Sequence, residues 1–264
     1  MQAAVLASSS SGNVTYIETK QHKVLVDAGL SGKKITELLA SIGRDINDID
    51  SIFITHEHSD HIKGLGVLMR RLNVNVYANS GTWDEMLAHN KIGKVPEDQI
   101  KIFEPDTLMS LDDLDINSFT VSHDAREPQF YQFMNDHKRM AILTDTGYAS
   151  ERLESQIKGA DAYLLEFNHD LDMLRNGPYG WPLKQRIISD TGHLSNDSGS
   201  DALINLVDRH TKKVFLGHLS PHNNTKKLAL TAAELTCAKF EPEVNSEFSL
   251  FTTDPAVAQP LFVV

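Results

Sequence analysis

The chain has 264 residues, 41% of them hydrophobic and 23% charged, which is ample for a buried core. Its 36 acidic against 25 basic side chains leave a net charge of −11. That argues against a broad basic nucleic-acid surface, though not against a local phosphate site where divalent cations reverse the sign. The single cysteine, Cys237, allows no intramolecular disulfide. Met1–Leu6 lacks the basic region of a signal peptide, and no apolar run approaches the ~20 residues of a membrane span. A soluble cytoplasmic protein is therefore expected.

In chain order, Ala3–Ala7 and Val14–Glu18 read as strands around the turn-forming Ser8–Asn13, and Lys23–Asp27 reads as a third. Ser31–Ile42 reads as a helix: Ser31 caps it, Ile35, Leu38, Leu39 and Ile42 recur at helical spacing, and Gly43 follows. Ser51–Thr55 is a strand, and His61–Leu72 one helix. Asn75–Ala78 is a short strand and Thr82–His89 a helix. Strands follow near Ile100–Phe103, Asp115–Ser122, Phe130–Met134, Met140–Leu143 and Ala162–Glu166. The second half holds helices at Trp181–Ser189, Ser195–His210 and Lys227–Phe240, with strands at Lys213–Leu216 and Phe248–Thr252. The tail beyond Asp254 is short and contains proline. No composition break marks a boundary, so a single domain over 1–264 is expected. Many strands in both halves, with helices at their ends, predict two sheets packed face to face with helices outside: an α/β, four-layer αββα sandwich.

The densest chemical signal is Thr55-His56-Glu57-His58-Ser59-Asp60-His61, directly after an apolar strand. Residues two apart in an extended segment point the same way, so His56 and His58 can close on one metal ion. Asp60 and His61 fall on the next turn and can hold a second. Imidazole and carboxylate without thiolate suit zinc, manganese or iron. Four further apolar strands lead directly to metal-capable or acidic side chains, at His123-Asp124, Asp145, Glu166 to His169, and His218. Each is weak alone, but strand ends can converge on one edge.

These motifs resemble the metallo-β-lactamase fold superfamily. More closely, the chain is similar to the YycJ/WalJ/VicX group, bacterial exonucleases often encoded beside a cell-wall two-component system. Leu25–Lys33, Thr55–Leu65, Val121–Ala125, Thr144–Tyr148, Asn168–Asp170 and Gly217–Asn224 carry the resemblance, which spans nearly the whole chain. It implies two divalent ions, one on His56, His58 and His123, the other on Asp60, His61 and His218, bridged by Asp145. Asp27 would fix a ligand-bearing loop; it also suits the cap of a turn before Ala28-Gly29. Glu166 and the Ser189–Ser195 stretch resemble motifs of ribonuclease J and its relatives. That implies catalytic roles for Glu166 and His193 beside Asp60: Glu166 orients His193, which binds a phosphate oxygen or protonates the leaving group. The large inserted domain of those relatives is absent here. His169 would line the pocket or support a ligand, and Asn223 and Asn224 would offer amide donors. Ser195 either faces substrate or caps the following helix.

His22, His89, His137 and His210 are expected at the surface. Trp83, Trp181 and Cys237 are expected to be packing residues, with base stacking as the alternative for Trp181. The resemblance implies a metal-dependent phosphodiesterase acting on nucleic acid, as a 5′-end-directed DNA exonuclease. The same ions would serve a hydrolase of a small thioester, lactone or cyclic phosphodiester. A third class is a non-enzymatic regulatory partner of a cell-wall two-component system.

Overall fold

The computed structural model describes residues 1–244 and 247–264. From the N-terminus its elements are β1 (Gln2–Ala7), β2 (Val14–Glu18), β3 (Lys23–Val26), α1 (Gly32–Ser41), β4 (Ser51–Phe53), α2 (Ser59–Ile62), α3 (Leu65–Arg71), β5 (Asn75–Ala78), α4 (Ser80–Ala88), β6 (Ile100–Ile102), β7 (Leu108–Leu111), β8 (Leu114–Thr120) and β9 (Gln129–Asn135). There follow β10 (Lys138–Leu143), α5 (Glu151–Ile157), β11 (Ala162–Glu166), α6 (Leu171–Asn176), α7 (Trp181–Ile187), α8 (Asn196–Leu206), β12 (Lys213–Gly217), α9 (Lys226–Val244), β13 (Ser249–Thr252) and β14 (Phe262–Val263). Two sheets flanked by helices make the architecture α/β. The chain divides into two compact units. The first is Met1–Thr120, Ala125–His137 and Asp254–Val263; the second is Val121–Asp124, Lys138–Thr253 and Val264.

In the first unit a sheet runs in the order β14-β1-β2-β3-β4-β5-β6. It is antiparallel from β14 to β3 and parallel from β3 to β6. One core cluster holds Ile35, Leu38 and Leu39 of α1 and Leu65, Leu68 and Met69 of α3, with Leu25 and Ile52 of the sheet. The antiparallel β7-β8-β9 stretch of the second sheet also belongs to this unit. An aromatic cluster packs on it: Phe53 stacks on Tyr77 at 4.8 Å between centroids and meets Tyr131 and Phe133 edge-on at 5.5 and 5.6 Å. Full burial of a ring such as Phe53 contributes about 1.5–3 kcal/mol. The second unit holds the parallel strands β10, β11, β12 and β13, with α8 and α9 packed together.

Several expectations needed correction. The helix expected over 61–72 is two helices, broken before Leu65. A Cβ on Gly64 would lie 2.2 Å from the Leu30 carbonyl oxygen, so close backbone packing, not helix periodicity, sets that stretch. The tail supplies a further strand: Gln2 and Ala3 pair with Val263 and Phe262. Trp83 is buried as expected, but Trp181 is 63% exposed, because Lys184 and Ile187 of the same short helix face inward instead. Cys237 is only half-buried on α9.

His22 is not a free surface residue. Its Nδ1 lies 3.3 Å from Asp50 and its Nε2 3.1 Å from Asp112, tying the β2–β3 turn to two other loops. Burial acts to lower its pKa, but the two carboxylates outweigh it and raise it above the ordinary 6.5. A raised folded pKa gives stability that is fully present below the unfolded value and lost as pH rises through the folded one. The urea midpoint should therefore fall between about pH 6 and pH 9 in the wild type, and His22→Gln should remove that part of the slope. An unchanged slope in the variant would contradict the clamp.

Candidate metal centre

In the first unit, β3 and β4 are parallel neighbours, so the residues after them emerge at one edge. Asp27 follows β3 and Thr55 follows β4. Asp27 is fully enclosed and accepts the Thr55 N–H at 2.9 Å and His61 Nδ1–H at 2.8 Å. The Thr55 hydroxyl, 3.0 Å from Asp27 Oδ2, donates there and in turn accepts from His56 Nδ1 at 3.0 Å. One carboxylate thus fixes two imidazoles, His61 directly and His56 through Thr55. Each keeps its N–H on Nδ1 and presents a lone pair at Nε2. His56 Nε2 then lies 3.1 Å from His58 Nδ1, and His61 Nε2 3.5 Å from Asp60. Burial pushes the Asp27 carboxyl up, against the pull of His61 and the Thr55 hydrogen bonds.

The turn carrying Asp60 is held from below. Asn13 N donates to the Asp60 carbonyl at 2.9 Å, and its side-chain amide sits 3.1 Å from His61 Nε2. A Cβ on Gly29 would lie 1.7 Å from that same carbonyl, so only glycine permits the approach. Glu57, buried beside the ligand candidates, accepts from Arg126 N.

In the second unit, Asp145, Glu166 and His218 follow or end the parallel strands β10, β11 and β12 and so share one edge. Glu166 is the hub. Its Oε1 accepts from His193 Nδ1 at 2.8 Å and His218 Nδ1 at 2.9 Å; its Oε2 accepts the N–H of Thr146 at 3.0 Å and of Leu194 at 3.2 Å. Burial alone would raise its pKa, but His193 and His218 hold it down to about 2. His218 Nε2 is left 3.2 Å from Asp145 Oδ1. His123 Nδ1 meets the Gly192 carbonyl at 3.1 Å, and its Nε2 lies 3.8 Å from Asp145 Oδ1. Asp145, Glu166, His193 and His218 each offer an atom within 4.8 Å of the others. His193 is partly exposed; Glu166 is not.

Asp27, Asp145 and His218 adopt φ of 62°, 50° and 56°, the sparsely populated left-handed region. A chain that holds three site residues there is over-determined by its surroundings. Gly147 shows how: a Cβ would lie 2.2 Å from the Asp190 backbone, so the Asp145 loop rests directly on the turn leading to His193.

These donors fit a divalent cation. His56, His61, His123 and His218 are each secured at Nδ1 by an oxygen, the usual outer support of a metal-bound imidazole. The donor set is nitrogen and carboxylate oxygen, without thiolate. Thr55 and Asn168, whose amide donates to the His218 carbonyl at 2.9 Å, were not assigned roles from sequence. Both lie within motifs, but only the fold shows what they touch. Other site candidates have defined partners. Ser195 caps α8 through Ser198 N, and Asn224 spends its amide on Phe167, Asn196 and Thr225. Asn223 is buried, with its amide near Ser220. His169 is buried too, held neutral by a pKa pushed down to about 4, chiefly by burial. Neither of its ring nitrogens has a partner among the described residues.

Residues 22–219 match the family described as Beta-lactamase superfamily domain. The chain is 52% identical over 258 residues to Exodeoxyribonuclease WalJ of Streptococcus pneumoniae serotype 2 (strain D39 / NCTC 7466), covering 98% of this chain and 96% of the relative. It is 46% identical over 252 residues to Exodeoxyribonuclease YycJ of Bacillus anthracis, covering 96% and 95%. Among solved structures, the metallo-beta-lactamase fold protein YhfI from Bacillus subtilis aligns with a TM-score of 0.71 at 14% identity over 98% of each chain, a likeness of fold. The chain thus belongs to the β-lactamase superfamily, with the metallo-β-lactamase fold, and within it to the group of WalJ and YycJ.

Asp27→Asn keeps a side chain that tolerates positive φ but removes the carboxylate. Equilibrium dialysis should show divalent-metal affinity reduced by about 10–100-fold. Unchanged affinity would deny Asp27 its part in presenting His56 and His61.

Proposed function

We propose that the chain is a dinuclear metal-dependent phosphodiesterase acting on nucleic acid, a 5′-end-directed DNA exonuclease. The observation that supports this reading is the donor set: imidazoles secured at Nδ1 by oxygens, accompanied by carboxylates and no thiolate. The family's ligand pattern assigns His56, His58 and His123 to one ion and Asp60, His61 and His218 to the other, with Asp145 shared. Zinc or manganese suits these ligands best, and iron also fits. When bound, the ions supply a hydroxide available near neutral pH and neutralise charge on the phosphoryl group.

The chain's own residues do the rest. Glu166 holds the N–H of His193 on Nδ1, which leaves Nε2 of this partly exposed ring for substrate. From there His193, when protonated at both ring nitrogens, donates its Nε2–H to a phosphate oxygen or gives that proton to the leaving oxygen. Asp60 serves as ligand and so is required for turnover. The exodeoxyribonuclease names of the relatives favour DNA over RNA. A cytoplasmic setting belongs to the same proposal, as does the link to a cell-wall two-component system that group membership implies. No described helix is long and apolar enough to cross a membrane.

The net charge of −11 favours, as a second reading, a small thioester, lactone or cyclic phosphodiester substrate. Salt separates the two, because binding through several phosphates weakens steeply with ionic strength and binding of a small neutral ester does not.

Purified protein should release nucleotides from a 5′-phosphorylated, end-labelled DNA duplex with Mn²⁺ or Zn²⁺ and stop with chelator. Asp60→Ala should lower the rate by more than about 100-fold, beyond the loss of an outer support. No cleavage with metal demonstrably bound would move the assignment to the small-molecule reading.

A further inference from the structure

The chain has two tryptophans, and only Trp181 faces solvent. It opens α7, which is anchored from its inner side: Lys184 Nζ donates to the carbonyls of Arg175 at 2.7 Å and Gly177 at 2.8 Å. Trp181 and Ile188, seven residues apart, therefore share an outward stripe and are 63% and 53% exposed. Two residues before Trp181, the ring of Tyr179 meets His222 edge-on at 5.8 Å. A Cβ on Gly177 would lie 2.5 Å from Asn223 Oδ1, so the Gly177–Gly180 loop rests against the turn that holds His222. That turn runs on into Lys226 and Lys227, both exposed.

The two segments belong to the loops that carry chemistry. His193 N donates to the Ile187 carbonyl at the end of α7, and His222 lies four residues beyond His218. An exposed indole directly after a loop that packs on the turn leading to two exposed lysines is out of keeping with a chain of net charge −11. A neutral apolar partner would use the ring and strand the cations; a small anion would use the cations and leave the ring in water. A single-stranded polynucleotide satisfies both, with π-faces for the aromatic side chains and phosphates for the lysines.

We propose that Trp181, Tyr179 and His222, with Lys226 and Lys227, form a stacking platform for a single strand of nucleic acid. Bases stack on Trp181 and the backbone passes the lysines. This rests on the nucleic-acid reading above and deepens it. Stacking tolerates any base, so such a platform would feed a strand to the metal centre without sequence preference.

Intrinsic fluorescence reads the platform directly, since Trp83 is buried. With chelator present, a thymidine oligomer of about twelve nucleotides should quench the emission saturably, and salt should weaken the effect. By anisotropy of a labelled oligomer, Trp181→Ala should lower affinity about 10-fold, and the double variant Lys226→Gln/Lys227→Gln should lower it and flatten its salt dependence. In the metal-loaded enzyme, Trp181→Ala should lower kcat/KM for the oligomer relative to bis(p-nitrophenyl) phosphate by a similar factor. Absence of quenching, unchanged affinity in Trp181→Ala, or quenching by phosphatidylglycerol vesicles but not by the oligomer would overturn the platform. Failure to hydrolyse either substrate would instead sink the nuclease reading, and the binding comparison would still decide the platform.

Discussion

A carboxylate taken out of water must find donors for its oxygens, and in this chain two such carboxylates find them in imidazole rings. Asp27 binds the N–H of His61 and, through the Thr55 hydroxyl, that of His56. Glu166 binds those of His193 and His218. Charge-assisted hydrogen bonds offset part of the cost of burying Asp27 and outweigh it at Glu166, and each bond fixes a ring's tautomer and orientation. What is left over on every ring is its Nε2. The chemistry of the molecule follows from that remainder.

The backbone makes these hubs possible. Parallel pairing of β3 with β4, and of β10 with β11 and β12, brings strand ends to common edges without any loop having to reach far. Positive φ at Asp27, Asp145 and His218 turns the chain sharply just after a strand, so the side chain is set by the sheet rather than by a mobile loop. Gly29 and Gly147 remove the Cβ that would hold neighbouring backbone away. Rigid strands, sharp exits and close backbone contacts together give the preorganisation that a hydrolytic centre needs.

Much of this was legible in the sequence. The helix capped by Ser31 follows a clear helical period, and the strands before His56 and up to Glu166 are short, largely apolar runs. The cluster from His56 to His61 is too dense in ligands to be a packing motif. Other features are set by tertiary contact and leave no local trace. The break at Gly64 reflects the carbonyl of Leu30, thirty-four positions earlier in the chain. The two-residue β14 is too short to show alternation. Trp181 carries the residue type of a core position, yet Lys184 takes the inward place because two carbonyls at the end of α6 need a donor. Asn224 reads as a free amide in sequence and proves to be one half of a reciprocal pair with Asn196.

Membership of the WalJ and YycJ group gives these hubs a purpose, since nitrogen lone pairs aimed by buried oxygens are what a divalent ion requires. The central claim is that the protein presets those lone pairs before any ion arrives. Long-range ¹H–¹⁵N correlation of the histidine rings in metal-free protein at about pH 8 tests it most directly, because each neutral tautomer has its own nitrogen shifts. The account predicts His56, His61, His123 and His218 protonated at Nδ1 with Nε2 bare. Protonation at Nε2 in these rings, or fast exchange between tautomers, would contradict it.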